Sequence, residues 1–331
     1  MRIAIDAMGT DGAPGPEVAG ALLALRELPP HITLILVGDE PAVRAELARH
    51  TEDLPQRLEF VSAADRILPG EPPAQAFRRK PESSIAVGLR LLKEKQADAF
   101  ISAGSTGAVM AGSLLTLRPL PGVDRPAIGT LLPTADRPVL MLDAGANVDC
   151  RPSHLVQFAQ LGHIYAQDLM GVERPRIGLL NIGEEEEKGN EVAVEAHRLL
   201  KESGLNFVGN VEGSDVIHGR CEVCVCDGFV GNVLLKFYES VAAFIATLLR
   251  RQAEAVLQHI ELEPVFRVLD YAEYGGAPLL GVNGVSVICH GRSPPKAILN
   301  AIKLAVRAVE TDMVGDMARE LSNGEPSKEA S

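Results

Sequence analysis

Tryptophan is absent from this chain of 331 residues, and aromatic residues make up only 4% of it. That scarcity argues against an aromatic-rich β-sandwich. With 46% hydrophobic residues, chiefly Ala, Leu and Val, the composition instead suits helices packed on a buried parallel sheet. Positive charge is short as well: the formal net charge of -12 provides no cationic field for nucleic acid, whose binding needs clustered Lys and Arg. Any anionic ligand must therefore be held locally. No uninterrupted apolar run reaches the roughly 18 to 20 residues of a membrane crossing. The opening "MRIAIDAMG" reads as a strand rather than a signal peptide, so a cytosolic chain is expected. Five cysteines, an odd number in a long chain, argue against a disulfide framework. Cys221, Cys224 and Cys226 fall on an alternating strand pattern with no second ligand pair, so they read as buried core thiols rather than a zinc site. Neither a metal nor a cofactor is expected.

What is present is an alternation of short β-branched runs with helical ones, the signature of a βαβ architecture. Strands are expected at Arg2–Asp6, Thr33–Val37, Leu58–Val61, Ala97–Ser102, Ala127–Leu131, Val139–Asp143, Arg176–Asn181, Asn206–Val208, Glu222–Asp227 and Val285–His290. The clearest helices are Pro16–Glu27, Ser83–Lys95, Thr106–Leu117, Pro152–Met170, Glu191–Ser203, Gly231–His259 and Pro295–Thr311. Pro16, Pro152 and Pro295 stand where a first helical turn accepts proline. "LPGEPPAQAFRRKP" and "RPLPGVDRP" read as mobile loops, and residues 322–331 as a frayed tail. Size and composition allow one large or two moderate domains. The expected organisation is a single α/β domain over residues 1–321, with a helical extension at about 231–270.

The loops after the strands read "DAMGTD", "VGDE", "SAGSTG", "DAGAN", "NIGEE", "NVEG", "CDGFVGN" and "HGRS". Gly recurs beside Asp, Asn, Glu or Ser, at the sheet edge where α/β proteins bind ligands. Glycines ahead of a helix let backbone N–H groups approach an anion, and the helix dipole favours negative charge. Candidate binding residues are therefore Asp6, Gly9, Ser102, Gly104, Ser105, Thr106 and Gly107, then Asp143 and Asn147. Asn181, Gly183, Glu184, Lys188, Asn190, Asn210 and Glu212 follow, and then Gly228, Gly231 and His290. Neither a P-loop nor Gly-x-Gly-x-x-Gly occurs. No Gly-x-Ser-x-Gly elbow, His-Glu-x-x-His or Cys-His nucleophile signature is present either. The chemistry left is direct attack of a bound anion on a bound electrophile, driven by positioning and an oxyanion hole.

"IDAMGTDGAP", "RRKPESSIAVGLRLLKEKQADAFISAGSTGAVMAG", "LDAGANVDCRPSHLVQFAQLG", "RIGLLNIGEEEEKGNE", "VCDGFVGNVLLK" and "EYGGAPLLGVNGVSVICHG" together resemble the bacterial phosphate acyltransferase family of phospholipid synthesis, from Met1 to about Val314. The resemblance implies a Rossmann-like, isocitrate/isopropylmalate dehydrogenase-like α/β fold and a homodimer. It further implies transfer of a long-chain acyl group from acyl carrier protein to inorganic phosphate, giving acyl phosphate. On that reading Asp227, Asn232, Lys236 and Lys80 carry the reaction, and Asp227–Asn232 walls the phosphate and thioester site. Thr10, Gly12 and Ser105 depart from the family pattern, where Gly, His and Asn are usual.

Further implied partners are a membrane glycerol-3-phosphate acyltransferase and the bilayer surface. Acidic carrier protein would need a local basic patch, for which Arg78, Arg79 and Lys80, or Arg250, Arg251 and Arg267, are candidates. Phe237, Val241, Phe244, Ile245, Leu248 and Leu249 form an apolar stripe suited to core, dimer interface or lipid. A short-chain phosphotransacetylase-like enzyme and a non-catalytic lipid-regulatory binding protein remain alternatives.

Overall fold

A computed structural model of the chain describes residues 1–51, 55–134, 136–256 and 271–323. Arg267, the distal part of the expected helical extension and the tail from 324 lie outside the described residues, as do the side chains of Leu249, Arg250 and Arg251.

In chain order the strands are β1 (Arg2–Asp6), β2 (Thr33–Gly38), β3 (Leu58–Ser62), β4 (Ala99–Ser102), β5 (Ala127–Leu132), β6 (Val139–Leu142), β7 (Ile177–Leu180), β8 (Phe207–Val211), β9 (Val223–Val225), β10 (Ala277–Leu280) and β11 (Val285–Ile288). The helices are α1 (Gly15–Glu27), α2 (Glu40–Leu47), α3 (Pro73–Arg79), α4 (Ser84–Lys93), α5 (Thr106–Thr116), α6 (Pro152–Met170), α7 (Glu191–Glu202), α8 (Gly213–Ile217), α9 (Gly228–Val256), α10 (Pro295–Glu310) and α11 (Met313–Asn323). The chain gathers into two compact units. One holds Met1–Pro126, Asp168–Gly171 and the residues from Tyr274 onward; the other holds Ala127–Gln167 and Val172–Glu273.

The first unit orders its strands β3-β2-β1-β4-β11-β10, all parallel except β10, which runs antiparallel to β11. Its strands are continuous apolar runs, as a sheet covered on both faces requires. Ile3, Ile5, Leu34, Leu36, Phe100 and Ile101 are all essentially inaccessible. Small residues let the helices close on that sheet. A Cβ on Gly20 of α1 would lie 2.6 Å from Ile298 of α10, and one on Gly112 of α5 would lie 2.5 Å from the Phe77 ring of α3.

The second unit orders its strands β5-β6-β9-β7-β8, parallel except for β5 against β6. In each unit the glycine-rich loops of the sequence follow parallel strands and share one edge.

Every expected strand is present. The segment read as a mobile proline-rich loop instead contains α3: Pro72 and Pro73 stand at the helix entry, where a missing N–H costs nothing, and Phe77 anchors the helix on α5. The tail expected from 322 starts within α11, which runs to Asn323. Four elements had no counterpart in the sequence reading besides α3: α2, α8, α11 and β10.

Candidate active site

At the edge of the first sheet, Asp6 ends β1 with its carboxylate buried. Ser102, at the end of β4, donates its hydroxyl to Asp6 Oδ2 at 2.6 Å, and its Oγ in turn accepts the Gly104 N–H at 3.0 Å. The Met8 N–H donates to Asp6 Oδ1 at 3.0 Å. Burial raises the Asp6 carboxyl above its usual range, against these hydrogen bonds and the Arg66 charge. This chain from Asp6 through Ser102 fixes the turn that launches α5. There Ser105 is the N-cap, its Oγ accepting the Ala108 N–H at 3.4 Å, and the first intrahelical bond is Val109 N–H to the Ser105 carbonyl at 3.0 Å. The N–H groups of Ser105, Thr106 and Gly107 precede that bond, the arrangement that suits an anion at a helix N-terminus. The Gly104 N–H is already spent on Ser102, so the cradle begins one residue later than the sequence suggests.

Gly9 presses on the same turn: a Cβ there would lie 2.8 Å from the Ala103 and Gly104 nitrogens. A cation that reaches this loop is Arg66, which was not singled out from the sequence. Its guanidinium donates to the Thr10 carbonyl at 2.8 Å and the Gly9 carbonyl at 3.4 Å. Lys80 is held one step away, its Nζ donating to Glu71 Oε1 and to the Arg66 carbonyl, both at 2.8 Å. His290 follows β11, where its Nδ1 accepts the Arg292 N–H at 3.1 Å, and the neighbouring Gly291 carbonyl accepts the Asp11 N–H at 2.8 Å.

The edge of the second sheet is built around Asp143. Its buried carboxylate accepts N–H groups from Ile128 (2.9 Å), Ala146 (3.1 Å) and Asn147 (2.6 Å), and the Asn147 side-chain amide at 3.0 Å. Burial nonetheless raises its carboxyl. The start of α9 is wedged against this turn. A Cβ on Gly228 would lie 2.7 Å from Asp143 Oδ2, and one on Gly231 would overlap the Asp143 carbonyl oxygen. Only glycine fits at either place. Asp227 caps α9, accepting the Val230 N–H at 2.8 Å, while Asn232 is exposed beside Gly145. Lys236 lies on the exposed side of α9 and pairs with Glu239 at 2.8 Å.

Next along this edge, Asn181 binds the Lys188 carbonyl at 2.9 Å and the Ile182 N–H at 2.8 Å, folding the acidic loop back on itself. The buried Asn210 ties that loop down through the Glu185 carbonyl at 2.7 Å. Asn190 caps α7, Glu212 opens α8, and Glu184 pairs with Arg220 at 2.7 Å. The Lys188 side chain and the Gly183 turn complete the loop, with Lys188 exposed. Nearby, the hydrogen bond with Cys221 and then burial raise the Cys224 thiol, and burial raises Cys226, so both are unreactive core thiols.

A mostly parallel α/β sheet presenting glycine turns and helix N-termini along its carboxyl edges defines the class: an α/β fold of the kind also seen in phosphotransacetylases and in 4-hydroxythreonine-4-phosphate dehydrogenases. Among solved structures, the phosphotransacetylase EutD of Staphylococcus aureus matches with a TM-score of 0.61 at 15% identity, covering 94% of each chain. A 4-hydroxythreonine-4-phosphate dehydrogenase of Klebsiella pneumoniae matches with a TM-score of 0.55 at 14% identity, over 93% of this chain and 99% of that one.

The sequence narrows the class further. The model of the family described as fatty acid synthesis protein matches residues 1–315, and the chain belongs to that family. Curated relatives named phosphate acyltransferase include one from Heliobacterium modesticaldum, 50% identical over 95% of this chain and 96% of its own. Another, from Nostoc punctiforme, is 51% identical over 95% and 94%. The chain is an acyl-transferring enzyme of this family.

Proposed function

We propose that this enzyme moves a long-chain acyl group from acyl carrier protein to inorganic phosphate, releasing acyl phosphate for glycerol-3-phosphate acylation. The observation that carries the reading is the cradle at the start of α5, at the exit of β4, where the N–H groups of Ser105, Thr106 and Gly107 precede the first intrahelical bond and so suit an anion. Arg66 adds positive charge to the Gly9–Thr10 loop beside it.

Phosphate held there is itself the nucleophile. It is already ionised at neutral pH, so its oxygen attacks the thioester carbonyl with little general-base help. The carrier thiolate leaves as the carbonyl re-forms, and no covalent enzyme intermediate is needed. Asn232, at the edge of the second unit, has a side-chain amide with no hydrogen-bond partner among the described residues. Asn181 spends its amide within its own loop.

Docking of the carrier protein falls to Arg78 and Arg79, exposed at the end of α3. The exposed apolar face of α9, with Phe229, Val233, Phe237 and Phe244 each more than half accessible, supports a homodimer, with the end of the helix in contact with the bilayer surface. By length and composition, Gly228–Ile245 also qualifies as a membrane span.

The test is acyl phosphate formation from long-chain acyl-acyl carrier protein, with and without phosphate, and with acetyl-CoA as a parallel donor. Phosphate-dependent turnover of the carrier substrate alone is the expected result. Turnover of acetyl-CoA alone would assign a short-chain phosphotransacetylase, and turnover of neither a binding protein.

A further inference from the structure

Glu17 of α1 has none of its surface exposed, and among the described residues no cation pairs with it. Both carboxylate oxygens are taken by one residue. The Thr10 N–H donates to Oε1 at 2.6 Å and the Thr10 hydroxyl to Oε2 at 3.0 Å. The groups facing it offer no compensation. Asp6 on β1 is a second buried carboxylate, and Cys289 beyond β11 is a thiol that burial and Glu17 push up to about 12. The helices packed on α1 direct their charges elsewhere: on α2, Arg44 pairs with Glu40 and Glu46 is taken by Arg49 and His50 just beyond the helix, and on α10, Lys303 pairs with Glu27 and Arg307 with the Leu169 carbonyl. Lys296 of α10 is exposed, and β2 carries no charged residue. A carboxylate so placed costs stability, and its retention asks for another reason.

That reason is what Thr10 holds. Thr10 lies in the loop joining β1 to α1, clasped by Arg66 at its carbonyl, while its neighbour Asp11 donates to the Gly291 carbonyl at 2.8 Å. One residue earlier, Gly9 lies against the Ala103 and Gly104 nitrogens so closely that no side chain fits. Movement of Thr10 therefore moves Gly9, and movement of Gly9 moves the turn that aims the first amides of α5. A carboxylate accepting both Thr10 donors fixes that height where an apolar residue would leave two buried donors unpaired.

We infer that Glu17 is a positioning residue which, through Thr10, sets the β1–α1 loop against Ala103–Gly104 and so shapes the anion cradle at the start of α5. The inference builds on the reading that this cradle takes phosphate.

Glu17→Gln keeps the shape and loses one acceptor, Thr10→Val loses the hydroxyl alone, and Thr10→Ser keeps both donors. In the full-length enzyme, Glu17→Gln and Thr10→Val should raise KM for inorganic phosphate about ten-fold. KM for the acyl donor should be unchanged, and Thr10→Ser should behave as wild type. Amide hydrogen exchange across Met8–Ala13 should quicken in the first two variants only. A merely structural role would weaken both substrates together and lower the melting temperature. Unchanged phosphate KM in Glu17→Gln, with wild-type turnover intact, overturns the inference. If the wild type shows no phosphate-dependent turnover, the reaction assignment falls, and exchange alone decides the clamp: faster exchange in Glu17→Gln supports it and unchanged exchange removes it. Should Glu17→Gln fail to fold, Thr10→Val carries the same comparison.

Discussion

Glu17 keeps its proton through the acidic range, because burial lifts its carboxyl from 4.5 to about 7. Unfolded chain releases that proton near 4.5 and folded chain near 7, so in between the folded state binds more protons and stability falls as pH rises. The contribution is fully present below the unfolded value and lost as pH passes the folded one. Across that interval the loss comes to about 3 kcal/mol, at roughly 1.4 kcal/mol for each step of one in pH. Glu17→Gln should accordingly melt several degrees above wild type near pH 8 and no higher than wild type near pH 4.5, a comparison calorimetry makes directly. A gap that does not widen with pH would place the Glu17 proton elsewhere. Sequence did hold a signal for this residue. Glu17 lies four residues before Ala21 and seven before Ala24, both fully buried, so it occupies the apolar face of its helix. Arg66 left no such trace, since its role depends on a loop fold that brings it across to Thr10.

At the scale of elements, the glycines at the start of α9 define how closely that helix meets the Asp143 turn. Gly231→Ala drives a methyl into the Asp143 carbonyl, and should cost about 2–3 kcal/mol in urea unfolding, whereas Gly204→Ala, with open space around it but a φ of +77°, should cost only its backbone strain. Equal losses would mean that contact with Asp143 does not set the α9 register. Most elements were legible because hydrophobic period and capping agree: Ser83, Ser105 and Asn190 cap their helices, each accepting an N–H three residues on. Three of the misses share a cause. α3 has seven residues, α8 five and β10 four, too short for a period to build up, and their order comes from packing on other elements. At the candidate site, glycine and Asx positions were readable as turn chemistry. Whether their donors face outward was not: Gly104, Asn181 and Asn210 turn out to spend theirs on neighbouring groups.

The molecule as a whole carries a net charge of -12, which repels an acidic partner at long range and makes any local cation decisive. Arg78→Glu with Arg79→Glu should raise KM for the acyl carrier substrate and flatten its rise with added salt, leaving phosphate KM unaffected. Unaltered carrier kinetics in that variant would move docking to another face. Likewise, Phe237→Asp with Phe244→Asp should dissociate a dimer built on α9, as sedimentation would record. Dimers that persist would assign that face to lipid or to another partner. At 29 residues, α9 is about 44 Å long, and its first turn is packed closely against Asp143 through Gly228 and Gly231. Mechanically it is a beam clamped at one end. A load applied along its exposed aromatic face is therefore felt as torque at the clamp, and whatever seats on that face gains leverage over the turn where Asp227 and Asn232 stand.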